Sequence, residues 1–490
     1  MPVPVVTISQ MREWEQATWA AGQTPDAVIR RVGECLARRA LSLTREGDLI
    51  LILAGRGHNG DDARCAEPHL GERRVEVLSI RDPAASRTAL VAALGKGPGL
   101  VIDGLFGIGL NRPLDSAWIE FIAALNAARV RVLSVDVPSG IDADTGEALG
   151  AAVESTVTLT LGAPKVGLLR SGAWAAVGRL ELESDIGLVP CPCESDLQWM
   201  SGSDFAGYPP ARLAAAHKGS FGHLAIVAGS LGYHGAAVLA ARGAQRARPG
   251  LVSLYTAPSV HAPVASQLQA VMVHPWRSDV RWPDGVSAFL CGPGLADRNL
   301  PGDLRHAVIE LWQDADEPVI VDASALDWLP AKPTASRAVR VVTPHPGEAA
   351  RMLGSSVADV QRDRTAALRA LSRQYGGCWV VLKGHQTLVG RDRGPVCVNS
   401  TGNPGLAQGG SGDVLAGYLA GLLAQPALEG DPALAARYAV WQHGAAADRL
   451  SEGHPNWTIE DLAAHLGGCA ESGEASGWWG RLSCGSGKKR

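Results

Sequence analysis

The sequence predicts an α/β protein of two domains, each a mostly parallel sheet flanked by helices. Three observations carry that expectation. Short apolar runs that end in turn residues alternate with segments of helical period, as in strands joined by crossover helices. The alternation halts in a polar stretch with a Pro-Pro pair, 191–213, and then starts afresh. The 490 residues also exceed one ordinary core, because domains run to about 100–200 residues. The expected division is a first domain over 1–197, a linker over 198–212, a second domain over 213–468 and a disordered Gly/Ser-rich tail over 469–490.

The segment 8–40 opens the chain with apolar residues at helical spacing, Met11, Trp14, Ala17 and Trp19, then Val28, Val32 and Leu36. It reads as a helix pair covering the sheet edge or the site. DLILILAG, VEVLSI, GLVIDGLFG and VRVLSVDVPSG follow as strands ending in loops. After the break, HLAIVAGS, LVSLYT, SAFLCGPG, PVIVDASAL, VRVVTPHPGE and CWVVLKGHQTLVG are strand-then-loop units, with helices over 236–247 and 358–375. Their polar residues fall at the carboxyl ends of the strands, where open parallel sheets bind ligands.

Charge and cysteine content narrow the function. Lys and Arg number 45 against 49 Asp and Glu, a net charge of -4, with no basic block beyond the terminal GKKR, which argues against nucleic acid as a partner. No apolar run approaches the ~18 residues of a membrane span, and the amino terminus lacks a basic-then-apolar leader, so the chain reads as cytoplasmic with no membrane partner. Nine cysteines, an odd number scattered from Cys35 to Cys484, make no disulfide framework. Cys191 and Cys193 lack the second pair that zinc requires.

The run TGNPGLAQGGSGDVLAG, 401–417, concentrates the parts of a phosphate-handling site. Gly409, Gly410 and Gly412 let the backbone close on an anion. Asp413 falls where a helix begins, since Val414, Leu415, Leu419 and Leu422 recur along an apolar segment. An anion there meets unpaired N–H groups and the positive end of the helix dipole. A carboxylate in that place suits accepting a proton from a hydroxyl approaching the phosphate. The plainer alternative is an N-cap in a glycine-rich turn. Upstream, Gly55-Arg56-Gly57-His58-Asn59-Gly60-Asp61-Asp62 follows a strand and precedes a helix. Read alone it is G-x-G-x-x-G, with Glu76 as the acid that a dinucleotide fold wants about 20 residues later.

Motifs taken jointly say more. HKGSFG (217–222), GYHGA (232–236), GPG (292–294), TPHPGE (343–348), KGHQT (383–387), NPG (403–405) and GSGD (410–413) resemble the ribokinase-like superfamily, and within it the ADP-dependent dehydratases that repair hydrated nicotinamide cofactors. That resemblance spans 217–466. DGLFGIGLNRP (103–113), DVPSGID (136–142) and APKVG (163–167) resemble the epimerase half of the same repair system, over about 7–188. The chain is thus similar to an epimerase fused to its dehydratase, with a Rossmann-like first domain and a ribokinase-like second.

In the second domain the resemblance implies Asp413 as the base that directs a ring hydroxyl onto ADP, with an anion hole from Gly410, Ser411 and Gly412. It implies contacts to the hydrated dinucleotide, NADHX or NADPHX, from Ala236, Gly294, His345 and Asp413. Lys383, Gly384, His385, Gln386, Thr387 and Gly412 would contact the adenine nucleotide, with Mg²⁺ bridging its phosphates. His345 could equally be a loop histidine between two prolines, and Glu348 merely the first-turn acid of the next helix.

In the first domain the resemblance implies potassium held by Asn59, Asp103 and Ser139. The dinucleotide would be cradled by His58, Asn59, Gly60, Asp61 and Asp62, by Gly107, Ile108, Gly109, Leu110, Asn111, Arg112 and Pro113, and by Asp136. Asp136 would be the acid/base and Lys165 its electrostatic or proton-relay partner. A surface ion pair for Lys165 and a turn carboxylate for Asp136 are the plainer readings. The family loop N-N-G-G-D-G is altered here by His58, Asp61 and Ala63. If the replaced Gly has φ > 0, Asp61 costs on the order of 1 kcal/mol, and its charge would sit near the phosphates.

The implied reactions are epimerisation of the R and S hydrates and ADP-dependent dehydration of the S hydrate to NAD(P)H, releasing AMP and phosphate, in a homo-oligomer. The competing readings are a ribokinase-like small-molecule kinase and a non-catalytic amino-terminal binding module.

Overall fold

Strand β1, Leu49–Ala54, is buried at every residue, which is why its run LILILA shows no polar alternation. In the computed structural model, which describes residues 2–334, 337–454 and 456–468, β1 lies inside the sheet of the first of two compact units, Val3–Leu197. The second unit runs from Gln198 onward. The expected tail, 469–490, lies outside the described residues.

The first unit's sheet is formed by β1, β2 (Arg74–Ser79), β3 (Leu100–Gly104), β4 (Val132–Val135), β5 (Val157–Leu161) and β6 (Arg179–Glu183). Their order is β2-β1-β3-β4-β5-β6 and every pairing is parallel. Alternate residues of β1 feed two cores. Ile50 and Ile52 meet α2 (Pro25–Leu43) through Val32 and Leu36, while Leu51 and Leu53 meet α4 (Pro83–Leu94) and α5 (Ser116–Ala127) through Leu90 and Phe121. The leading pair forms as expected: α1 (Ile8–Ala20) starts at a Thr7/Gln10 capping box, and α2 at Thr24 with Pro25 in its first turn. The order reverses between β1 and β3, so the loops after these strands diverge and leave a crevice at their carboxyl ends.

The second unit's strands are β7 (His223–Val227), β8 (Leu251–Thr256), β9 (Met272–Pro275), β10 (Ala288–Cys291), β11 (Val319–Val321), β12 (Arg340–Val342), β13 (Trp379–Leu382), β14 (Leu388–Gly390) and β15 (Val396–Val398). They lie in the order β15-β14-β13-β12-β11-β10-β7-β8-β9. Pairing is parallel from β13 to β9. Helices α6 (His234–Ala247), α11 (Ser411–Leu423) and α12 (Pro432–Gly453) build the main core against Leu224, Ile226, Leu254 and Leu290.

Several expectations are corrected. CWVVLKGHQTLVG is a hairpin, β13 and β14 pairing antiparallel, because Gly384 and Gln386 take positive φ and turn the chain. Strands β5, β6, β9 and β15 lie outside the expected set. The helix over 358–375 is two, α9 (Val357–Arg362) and α10 (Arg364–Gln374), divided at Asp363, whose carboxylate caps the second. The stretch 198–212 is no bare linker: Met200 and Phe205 are buried in the second unit's core, Phe205 edge-on to Tyr438 at 5.5 Å.

Candidate active sites

The first site is built at strand ends. Asp136 follows β4 with φ 63°, a left-handed conformation that aspartate tolerates, and its Oδ1 accepts from Leu161 N–H at 3.0 Å and Thr160 Oγ1 at 3.2 Å. Lys165 Nζ donates to the same Oδ1 and to the Leu161 carbonyl at 2.8 Å. Lys165 is 0% exposed, so the surface ion pair is excluded. Oδ2 of Asp136 has no partner among the described residues, and Asp136 lines a cavity of about 970 Å³.

Asn59, Asp103 and Ser139 meet around the backbone of Phe106. Ser139 Oγ donates to Asp103 Oδ1 at 2.6 Å, Ser139 N–H and Ser134 Oγ donate to Oδ2 at 3.0 and 2.8 Å, and Asn59 Nδ2 donates to the Phe106 carbonyl at 2.8 Å. Asp103 is fully buried, and burial pushes its carboxyl up even though these bonds favour the ionised form. Among the described residues no cationic side chain bonds to it. A buried carboxylate beside amide, hydroxyl and carbonyl oxygens suits a hard monovalent cation.

The glycine-rich motif sits differently from the expectation. Only Gly55–Gly57 is loop; His58 opens helix α3, His58–Cys65. His58, Asn59, Asp62, the stretch from Gly107 to Pro113 and Asp136 line the cavity, whereas Gly60 and Asp61 do not. A Cβ at Gly60 would strike the Gly55 carbonyl, so this glycine serves the close approach of helix and strand end. Asp61 is absent from the positive-φ residues, so the expected strain does not arise, and it pairs with Arg64 at 2.7 Å outside the cavity lining, although its charge still bears on Asp62. The cavity adds residues outside the expected contacts: Arg12 and Glu15 from α1, Arg56 from within the glycine-rich motif, and Arg81 after β2. Glu15 lies next to the apolar Met11 and Trp14 stripe, one helical step from its centre. Asp62 is pushed up to about 8 by burial and by the carboxylates of Asp136, Asp61 and Glu15.

The second site gathers the ends of β10 to β13 at the amino terminus of α11. Gly410 is the N-cap with φ 97°, which places Asp413 third in the helix and excludes it as the cap. Ser411 N–H donates to the Gln408 carbonyl at 3.3 Å, while Gly412 and Asp413 N–H have no partner among the described residues. Burial pushes Asp413 up to about 7, assisted by Asp322 and Glu348 and opposed by Lys383. Lys383 Nζ is 2.6 Å from Asp322 Oδ1 and 3.9 Å from Glu348 Oε2. Burial would lower its pKa, but those carboxylates outweigh burial and raise it.

His345 caps α8, Pro346–Leu353: its Nδ1 accepts from Gly347 and Glu348 N–H at 3.0 and 3.3 Å, and Glu348 Oε2 accepts from His345 N–H at 2.8 Å. The imidazole is exposed. Glu348 is a first-turn acid, as one reading had it, but also faces Lys383. Ala236 and Tyr233 pack directly on Gly294, and Ser230 Oγ ties that loop by a 2.6 Å bond to the Gly294 carbonyl. In the hairpin turn, buried Arg364 donates to the carbonyls of His385 and, at 3.0 Å, Leu382, holding Lys383 to Thr387 in place.

Asp322 and His443 are additions to the expected site. Asp322 stands at a strand end in PVIVDASAL, the same kind of place as Asp136 in VRVLSVDVPSG, so a signal existed. His443, mid-helix in α12, had none; its Nε2–H donates to the Ser411 carbonyl at 3.1 Å, and burial holds its pKa down at about 4, neutral.

Residues 224–466 match the family described as NAD(P)H-hydrate dehydratase, and 78–167 match the YjeF-related protein N-terminus. A bifunctional NAD(P)H-hydrate repair enzyme of Gloeobacter violaceus is 36% identical, covering 94% of this chain and 96% of its own. The chain belongs to the bifunctional NAD(P)H-hydrate repair enzymes. Another member, from Coxiella burnetii, is 34% identical over 93% of this chain and 97% of its own length. A crystal structure of the ADP/ATP-dependent NAD(P)H-hydrate dehydratase of Bacillus subtilis, co-crystallised with ATP/Mg²⁺, covers 54% of this chain and 95% of that one, with 32% identity and a TM-score of 0.49. Among the described residues no helix is long and apolar enough to cross a membrane.

Proposed function

We propose that this repair enzyme equilibrates the R and S hydrates of NADH and NADPH in its first unit and dehydrates the S hydrate with ADP in its second. The observation that carries the reading is Asp413, a carboxyl tuned to about 7 at a helix amino terminus with open N–H groups. A base of that strength accepts a proton at neutral pH and returns it easily. Asp413 takes the proton of the C6 hydroxyl as that oxygen attacks the terminal phosphorus of ADP and AMP leaves. Gly412 and Asp413 N–H groups and Lys383 hold the charge on the phosphoryl oxygens. The ring nitrogen's lone pair then expels phosphate from C6, and loss of a C5 proton completes the double bond.

Mg²⁺ fits as an ion carried by the nucleotide: among the described residues no three His, Cys, Asp or Glu side chains gather to hold a metal, and Mg²⁺ commonly rides on phosphates. Potassium fits the Asn59, Asp103 and Ser139 oxygens, where it would neutralise the buried carboxylate. In that unit Asp136, oriented by Lys165, moves the proton that accompanies loss and return of the hydroxyl. Homo-oligomerisation and a cytoplasmic location belong to the same reading. The test is the full chain on separated R and S hydrates. With ADP only the S form is consumed directly, with AMP and phosphate appearing one to one; without ADP the epimers equilibrate faster with potassium than with sodium. A phosphorylated product that accumulates would favour a kinase instead.

A further inference from the structure

Asp62 is 7% exposed, lines the first unit's cavity and has no hydrogen-bond partner among the described residues. A buried carboxyl without a donor is costly unless it keeps its proton. Three elements set its surroundings. Glu15 comes from α1, Asp136 from the loop after β4 and Asp61 from its own helix, all acidic. The basic side chains Lys165 and Arg12 act to lower Glu15. Of the other elements packed on α3, β3 carries Asp103, bonded to Ser134 and Ser139, and α2 carries Arg30, which bears on Cys65. Asp136 differs from Asp62 in that Lys165 bonds its Oδ1, and it lines the same cavity.

We propose that Asp62 is a second proton-transfer residue of this site, protonating the departing C6 hydroxyl while Asp136 receives the proton released when water returns. The step balances without a further reactant. The Asp62 O–H proton passes to the hydroxyl oxygen, the C6–O bond breaks with its electron pair going to water, and the ring-nitrogen lone pair makes the C6–N double bond. Water then bonds to C6 from the other face, the π pair returns to nitrogen, and the surplus proton goes to Asp136. In the reverse direction the roles exchange, and cavity water resets the pair. Epimerisation at a single carbon requires a proton-transfer group for each face, since each face needs an acid in one direction and a base in the other. The proposal rests on the epimerase reading.

The test uses the full chain and the R hydrate with ADP omitted, so that dehydration is silent. Wild type is expected to lose epimerisation as pH rises past about 8, when Asp62 ionises. Asp62→Asn should lose ~10²-fold or more in kcat, bind NADP⁺ within a few-fold of wild type, and lack the alkaline limb; Asp62→Glu should restore part of the rate and the limb. Infrared difference spectra of wild type against Asp62→Asn should show a protonated carboxyl at pH 7, and the spectrum against Asp62→Glu, in which that band moves, decides the matter if the asparagine variant is too unstable to assay. An active Asp62→Asn enzyme, a retained alkaline limb or an ionised Asp62 at pH 7 overturns the proposal alone. A wild type that does not convert the R hydrate above the spontaneous rate overturns the epimerase reading, and the proposal with it.

Discussion

Lys383 Nζ lies 2.6 Å from Asp322 Oδ1 across 61 residues of sequence, and this pair sets the charge around Asp413. Thr343 Oγ1 donates to the same Asp322 oxygen at 2.7 Å. The ammonium therefore offsets two carboxylates, Asp322 and Glu348, that would otherwise keep Asp413 protonated.

Removing that ammonium pushes the Asp413 carboxyl further up. Lys383→Met should shift the acid limb of the dehydration pH profile upward by ~1 unit or more, since an opposite charge at this range is worth about that much. It should also weaken ADP binding. An unshifted limb with slower turnover would mean that Lys383 acts only on the nucleotide.

Asp413→Asn should bind ADP nearly as wild type and lose ~10²-fold or more in dehydration. In wild type the rate should rise with pH through about 7 as the base ionises. The stability sign follows from the same shift. An Asp carboxyl raised from 3.8 to about 7 keeps its proton in the folded chain while the unfolded chain has lost it, so stability falls as pH climbs between those values. Asp413→Asn should raise Tm at pH 8 and leave it unchanged near pH 3, as scanning calorimetry would read.

Lys165→Met strands Asp136 in a buried place with only Thr160 and Leu161 as donors. Breaking a buried pair from one side costs ~3–5 kcal/mol. Urea unfolding should show the first unit's transition lowered by that order, with epimerisation lost and ADP-dependent consumption of the S hydrate retained.

Asp61→Gly restores the family residue, yet little gain is expected. The Asp61–Arg64 pair is half exposed, so its loss costs less than ~1 kcal/mol, and glycine within a helix costs ~0.5–1 kcal/mol more. Epimerisation should change by no more than about twofold, the scale of substitutions away from such features. A large gain would place Asp61 at the ligand after all.

Strand ends and helix starts were legible because their causes are local: a six-residue apolar run such as LILILA, bounded by turn residues, reads as a strand buried on both faces, and turn residues mark where it stops. Hence Asp413 could be named from its place at a helix start, while Asp103, Asp136, Lys165 and Lys383 were named through the motifs that carry the family resemblance. Asp322 carried the same strand-end signal, but its meaning lay in a partner beyond β12, and His443 carried none, since its bond to Ser411 joins residues 32 apart on two different helices.

The altered loop shows where local reasoning stops. Sequence determined that Asp61 and Asp62 are adjacent carboxylates after a strand; it left open which of them meets the ligand. Tertiary structure decided this through α3, which begins at His58, inside the stretch read as loop. Consecutive helical residues point about 100° apart, so packing of α3 on β1 and β3 turns Asp62 into the cavity and Asp61 out to Arg64. Chain chemistry supplies the two carboxyl groups, and only the helix's orientation in the packed unit makes one a surface ion and the other a buried acid.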